Sequence, residues 1–204
     1  MRPVNLGAPL LDVAVGVRGV LLQTLARLEQ PVTRRQLAAA AGVAAGHASA
    51  VIEELITTGL VTETPAGRSS MVELNRSHMA AEPLLALASL RGELVRRLRE
   101  RLSDWSDLFG AWLFGSVARG DAGVDSDIDL LIVADDLDSS ELHDRLAQLI
   151  SDVRLWTGNE TQVVEHSLAS WRELVRARNS LVDQVRLDGI ALKGETSSLL
   201  ARRQ

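Results

Sequence analysis

Ala111-Trp112-Leu113-Phe114-Gly115-Ser116-Val117-Ala118-Arg119-Gly120, followed after a short polar loop by Ser126-Asp127-Ile128-Asp129-Leu130-Leu131-Ile132-Val133, is the stretch that decides how the C-terminal half of this chain folds. The apolar run before Gly115 has the length of a buried strand, so Gly115 and Ser116 fall where a strand hands over to a helix or turn. Backbone N–H groups at such a turn can meet anionic oxygens. A glycine there lets the main chain approach closely, and a serine hydroxyl can donate to the same oxygens. Asp127 and Asp129 alternate into a second apolar run, so both carboxylates leave the same face of that strand. Two adjacent carboxylates repel unless a cation lies between them, and an all-oxygen pair suits Mg²⁺, which takes one or two protein carboxylates and fills its shell with water and phosphate.

Gly-Ser, Arg-Gly and Ser-Asp-x-Asp-Leu in this order and spacing resemble the signature of the DNA polymerase β-type nucleotidyltransferase superfamily, in its minimal branch, over roughly residues 105–194. The resemblance implies transfer of a nucleoside monophosphate, AMP in many members, from a nucleoside triphosphate to a hydroxyl on a small molecule or a protein. Asp127 and Asp129 would be the catalytic metal ligands, holding two Mg²⁺ ions. Gly115, Ser116, Arg119 and Ser126 would bind the nucleotide, with ATP as the substrate. Arg119 either contacts a phosphate or pairs with a nearby acid such as Asp121 or Asp125. Family members usually add a third carboxylate from a neighbouring strand, just before two apolar residues. That place, before Val163-Val164, holds Gln162, which neither carries charge nor accepts a proton. Glu160 shares the alternating face of Gln162, whereas Glu165 points the other way.

Working outward, Val17 to Leu28 has helical periodicity, and a second helix begins after Thr33. Ala41-Gly42-Val43 supplies a tight bend before a third helix from about Ala45 to Thr58, stopped by Gly59. Leu60 to Thr64 and Ser69 to Leu74, joined by Pro65-Ala66-Gly67-Arg68, read as a hairpin. Three helices and a hairpin resemble the winged helix-turn-helix domains of bacterial regulators. That resemblance implies double-stranded DNA as a partner, with Arg34, Arg35 and Arg68 touching phosphates and His47 and Ser49 the only donors at the start of the third helix. Each of these has a plain alternative as solvated surface.

Between the two units, Leu87, Leu90, Leu94, Leu98 and Leu102 recur at helical spacing and predict one long helix from Glu82 to Leu102. Its stripe would pack on its own domain or form a homodimer seam. Beyond the acidic strand, the pattern predicts a helix from Ser139 or Ser140 to Trp156, a strand over Thr161 to Glu165, a helix opened by a Ser170/Glu173 capping box and running through Leu181, and a short strand or turn over Leu187 to Leu192. The expected architecture is therefore α+β in two domains: a winged helix over 1–80, a linker helix over 81–104, a nucleotidyltransferase α/β domain with a small mixed sheet over 105–194, and a tail over 195–204.

Composition sets the bounds. The chain has 204 residues, 46% hydrophobic and 24% charged, enough for two small cores. It has no cysteine, which excludes a disulfide framework and thiolate metal sites. No stretch approaches eighteen uninterrupted apolar residues, and the start has neither a basic n-region nor a cleavage site, so the expected location is the cytoplasm and no membrane is expected as a partner. Residues 1–80 carry seven basic and six acidic side chains, leaving fifteen and twenty-one of the 22 and 27 for the remainder. Neither part is a strongly basic nucleic-acid magnet. Three functions fit: a Mg²⁺-dependent nucleotidyltransferase, a DNA-binding regulator whose second domain senses nucleotide without turnover, and an antitoxin-like protein that modifies a protein partner.

Overall fold

A computed structural model describes residues 2–194, and the tail expected over 195–204 lies outside the described residues. The chain is α+β and divides into two compact units, one of residues 8–90 and one of residues 91 onward together with the first seven.

The unit of residues 8–90 opens with a 3₁₀ turn at Pro9–Asp12, then α1 (Gly16–Arg27), β1 (Val32–Thr33), α2 (Arg34–Ala40), α3 (Ala45–Thr57), β2 (Val61–Ala66), β3 (Ser69–Leu74) and α4 (Ala81–Ala88). Thr33 begins α2 with a full capping box: its hydroxyl accepts from Gln36 N–H while the Gln36 side chain accepts from Thr33 N–H. The chain axis turns by 114° between α2 and α3, within the range of helix-turn-helix pairs. The hairpin closes through Gly67-Arg68, with Gly67 at φ +64, and the two-residue β1 adds to its β3 side. Leu21, Leu25, Leu37, Ile52, Leu55 and Val72 form the core.

In the other unit β4 (Leu108–Phe114), α6 (Gly115–Arg119), β5 (Ile128–Ala134), α7 (Ser140–Thr157), β6 (Thr161–Ser167), α8 (Leu168–Ala177), α9 (Ser180–Asp188) and β7 (Ile190–Lys193) follow α5 (Leu90–Leu102). The sheet runs β6-β5-β4-β7; β5 and β6 are parallel, joined across one face by α7, and the other pairs are antiparallel. Because β5 alternates between two covered faces, it can be apolar almost throughout. Ile128, Leu130 and Ile132 meet Leu98, Leu102, Leu142 and Leu149 of α5 and α7. Leu131 and Val133 meet Trp112, Trp171, Val175 and Val185 on the α8 and α9 side. Each such side chain contributes about 1.5–3 kcal/mol relative to exposure.

Four expectations change. The helix expected from Glu82 to Leu102 is two helices: α4 ends at Ser89, whose hydroxyl donates back to Ala86 O at 2.9 Å. Its leucine stripe serves two cores, Leu87 in the N-terminal unit and Leu94, Leu98 and Leu102 in the other, so neither a single linker helix nor a leucine dimer seam is available. The helix expected from the Ser170/Glu173 box starts earlier, because Ser167 accepts from Ser170 N–H and β6 extends to Ser167. That helix also stops before Leu181: Arg178 turns left-handed at φ 53, and Asn179 caps a separate α9. Finally, the segment before residue 8 packs in the C-terminal unit, where Val4 N–H donates to Thr157 O and Leu6 is buried.

Candidate active site

The sheet end where β4 finishes and β5 and β6 begin gathers the acidic and small residues. Phe114 faces Asp129 across the β4/β5 pair, and Asp129 faces Gln162 across the β5/β6 pair. Asp129 shares its face with Leu131 and Val133, but near the start of the strand its carboxylate is only half-buried.

Gly115 follows directly on β4 with φ +73, a left-handed conformation costly for any side chain. Space forbids one as well: a Cβ there would lie 2.2 Å from Oδ2 of Asp129. The glycine therefore makes room for a carboxylate, in addition to the close anion approach that its position in the sequence suggests. Ser116 follows in the first turn of α6, and its hydroxyl has no hydrogen-bond partner among the described residues.

Burial pushes the Asp129 carboxyl above the usual range, the nearby Asp127 charge pushes it further, and Arg119 opposes both. Asp127 accepts a hydrogen bond from Gln162 Nε2 at 2.5 Å. Two neighbouring carboxylates, one partly desolvated and the other hydrogen-bonded to an uncharged carboxamide, form a donor set suited to a divalent oxygen-seeking cation. Among the described residues no three acidic or histidine side chains gather around a common point.

Arg119 pairs with Asp121 at 3.2 Å and with Asp188 of α9 at 3.6 Å, so of the two acids expected beside it Asp121 is found there and Asp125 is not. The Ser126 hydroxyl accepts from Gly123 N–H at 2.9 Å, closing the loop that delivers Asp127. Two residues that the sequence reading missed brace these parts. Asn159, buried, donates to Ser126 O at 3.0 Å and accepts from Val4 N–H. Arg91, in the first turn of α5, donates to Ala118 O at 2.7 Å, and its guanidinium rests against Gly120. Only the polar character of Asn159 just after a helix-ending glycine was a signal; Arg91 is one arginine among several on its helix. Glu160 is paired to Arg154 at 3.2 Å, and Glu165 faces Ile132, on the sheet face opposite Gln162.

In the N-terminal unit, Arg35, His47, Ser49 and Arg68 are exposed. Arg34 is engaged inside its own unit: it ties α2 to Glu53 of α3 at 2.8 Å and to Glu63 of β2 at 2.5 Å.

Residues 95–186 match the family model of the nucleotidyltransferase domain. That match contains β4, α6 and both aspartates, so the site described above lies within the matched residues. No curated protein matches the chain. Among solved structures it is similar to a toxin–antitoxin assembly crystallised with AMP-PNP (23% identity, over 53% of this chain and 77% of that one, TM-score 0.34). It is similar also to a mutant of the toxin–antitoxin MntA-HpeT (18%, 54% and 80%, TM-score 0.35). A third similarity is to the adhesin competence repressor AdcR from Streptococcus pyogenes (19%, 43% and 64%, TM-score 0.32). Among the described residues no single helix is long and apolar enough to cross a membrane.

Proposed function

We propose that the nucleotidyltransferase domain binds a nucleoside triphosphate, ATP in the first instance, with Mg²⁺, and transfers its nucleoside monophosphate to a hydroxyl acceptor. The observation that carries this reading is the packing of the Asp129 carboxylate against the hydrogen-only Cα of Gly115, with Asp127 two residues before it in the chain and Ser116 next after the glycine. The main-chain N–H groups of α6 and the Ser116 hydroxyl would take the terminal phosphates, and Asp127 and Asp129 would hold the cation against the α-phosphate. The cation supplies charge neutralisation at the phosphates. In the transfer, the acceptor oxygen bonds to the α-phosphorus, the bond from that phosphorus to the β-phosphate oxygen breaks, pyrophosphate leaves, and the hydroxyl proton passes to water. Arg119 is close enough to influence Asp129, and its pairing with the exposed Asp121 is one that a phosphate would displace. A protein hydroxyl is one acceptor class that fits, as in a partner-modifying antitoxin.

Calorimetric titration of ATP in Mg²⁺ buffer against the parent and Asp127→Asn with Asp129→Asn tests the reading, together with pyrophosphate release from labelled triphosphates. Loss of Mg²⁺-dependent binding in the double variant is the expected result. Equal affinity in both proteins would refute the site.

A DNA-binding role for the N-terminal unit rests on a separate observation: α2 and α3 cross at a helix-turn-helix angle, with a hairpin following. We read this unit as a winged helix, with Arg35 and Arg68 on phosphates and His47 and Ser49 toward the bases. Arg34 braces the motif. A mobility shift over a salt series with the DNA upstream of its own coding sequence checks this, and absence of binding at low salt rules it out.

A further inference from the structure

We propose that Gln162 limits the site to one divalent ion, by occupying with a neutral carboxamide a place from which a third carboxylate could reach Asp127 and Asp129 together. This rests on the nucleotide-and-metal reading above and narrows it, since two ions are what the resemblance implies. Gln162 is the β6 residue in register with Asp129, and parallel strands hold such partners about 5 Å apart. Its Nε2 stands 2.5 Å from Oδ2 of Asp127. It therefore touches one carboxylate and neighbours the other.

Of the other acids near this sheet end, four are paired or face away. Glu160 is held by Arg154, Asp121 and Asp188 by Arg119, and Glu165 lies on the other face of β6. No group of three candidate ligands forms among the described residues.

Charge decides the capacity. Two carboxylates balance one dication. A second ion would lie about 3.5–4 Å from the first, and the protein offers it no further anion, so nucleotide phosphates alone would have to hold it. Gln162 also donates to Oδ2 of Asp127, which places a donor, and not a further acceptor for a cation, beside that carboxylate. Glutamate has nearly the same shape as glutamine, so Gln162→Glu puts a carboxylate where the amide now stands without altering the packing of the strand.

The test counts Mn²⁺ by electron paramagnetic resonance in the full chain with saturating AMP-PNP. The parent is expected to bind one ion per chain, with an uncoupled single-ion spectrum. Gln162→Glu is expected to bind two, with the spin-coupled signal of a close pair and with first-ion affinity, measured without nucleotide, raised roughly tenfold by the added ligand charge. Gln162→Asp is expected to give the same count through a shorter arm, and Gln162→Ala to stay at one. Two coupled ions in the parent, or one ion in both acidic variants, overturns the inference while leaving the nucleotide site intact. No ion in the parent overturns the site itself, and the inference with it.

Discussion

A methyl group on Gly115 would come within 2.2 Å of Oδ2 of Asp129, so the turn that opens α6 and the carboxylate that begins β5 cannot be altered independently. Gly115→Ala must either push Asp129 aside or distort the turn, and it also places a side chain at φ +73. The backbone term alone costs about 1–2 kcal/mol. The expected outcome is a lowered melting temperature together with a loss of Mg²⁺-dependent ATP binding that exceeds tenfold. A variant that melts earlier yet binds ATP as the parent does would show that Asp129 is not part of the site.

The same carboxylate carries a stability penalty. Its carboxyl is pushed above the ordinary value of 3.8, first by burial and then by Asp127. A raised acid pKa means that the folded state holds the proton more tightly than the unfolded chain. This group's contribution to stability is then greatest in acid, falls as pH rises from 3.8 through the folded value, and stays reduced at neutral pH. Asp129→Asn is expected to melt a few degrees higher than the parent at pH 7 in metal-free buffer. That advantage should disappear at pH 3, and Mg²⁺ should raise the melting temperature of the parent but not of the variant. Differential scanning fluorimetry over pH and Mg²⁺ concentration reads all three.

Gly115, Ser116, Asp127 and Asp129 were legible because each depends on a local constraint: a turn, a small residue, a period of two. The α2 cap was legible too, since Thr33 and Gln36 satisfy each other within three residues. The break at Ser89 was not. Leu87, Leu94 and Leu98 continue one helical stripe, and spacing says that a face is buried but not in which core. Likewise Ser167 and Ser170 both read as caps, and only the length of β6 chooses between them. Arg91 and Asn159 act across 27 and 33 positions of sequence, a relation that no local pattern records.

Arg34 and Arg35 adjoin in sequence but should differ in function. Arg34 is shared by Glu53 and Glu63, and its hydrogen bonds hold the Glu63 carboxyl below the usual value of 4.5. A depressed acid pKa gives stability that is present above 4.5 and lost as pH falls through the folded value. Arg34→Ala is therefore expected to lower the melting temperature of its unit by a few degrees at pH 7, and by much less in strong acid. Arg35→Ala and Arg68→Ala should leave it unchanged. On DNA, each of the latter two should reduce the slope of log affinity against log salt by about one, while Arg34→Ala, compared at a temperature where it is folded, should not. A slope unchanged in all three would remove phosphate contact from this face.

Arg91 is a positioning residue for the turn that α6 forms. Its guanidinium donates to Ala118 O at 2.7 Å and more weakly to Val117 O, caps the carbonyl end of the helix that Gly115 begins, and packs on Gly120 at φ +84. A positive group at a helix C-terminus is favoured by the peptide dipoles. Arg91→Ala removes the donors and leaves those carbonyls to water, while α5 keeps its packing through Leu94, Leu98 and Leu102. The expected result is an ATP affinity lowered roughly three- to tenfold, the scale of an ordinary hydrogen bond of about 0.5–1.5 kcal/mol, with little change in melting temperature. Arg91→Lys, which restores one donor but not the flat contact with Gly120, should recover part of the affinity. Hydrogen exchange separates this from a general loosening: faster exchange should be confined to residues 115–121 in Arg91→Ala, and acceleration spread through β5 and α7 would mean that Arg91 supports the whole unit instead of the turn.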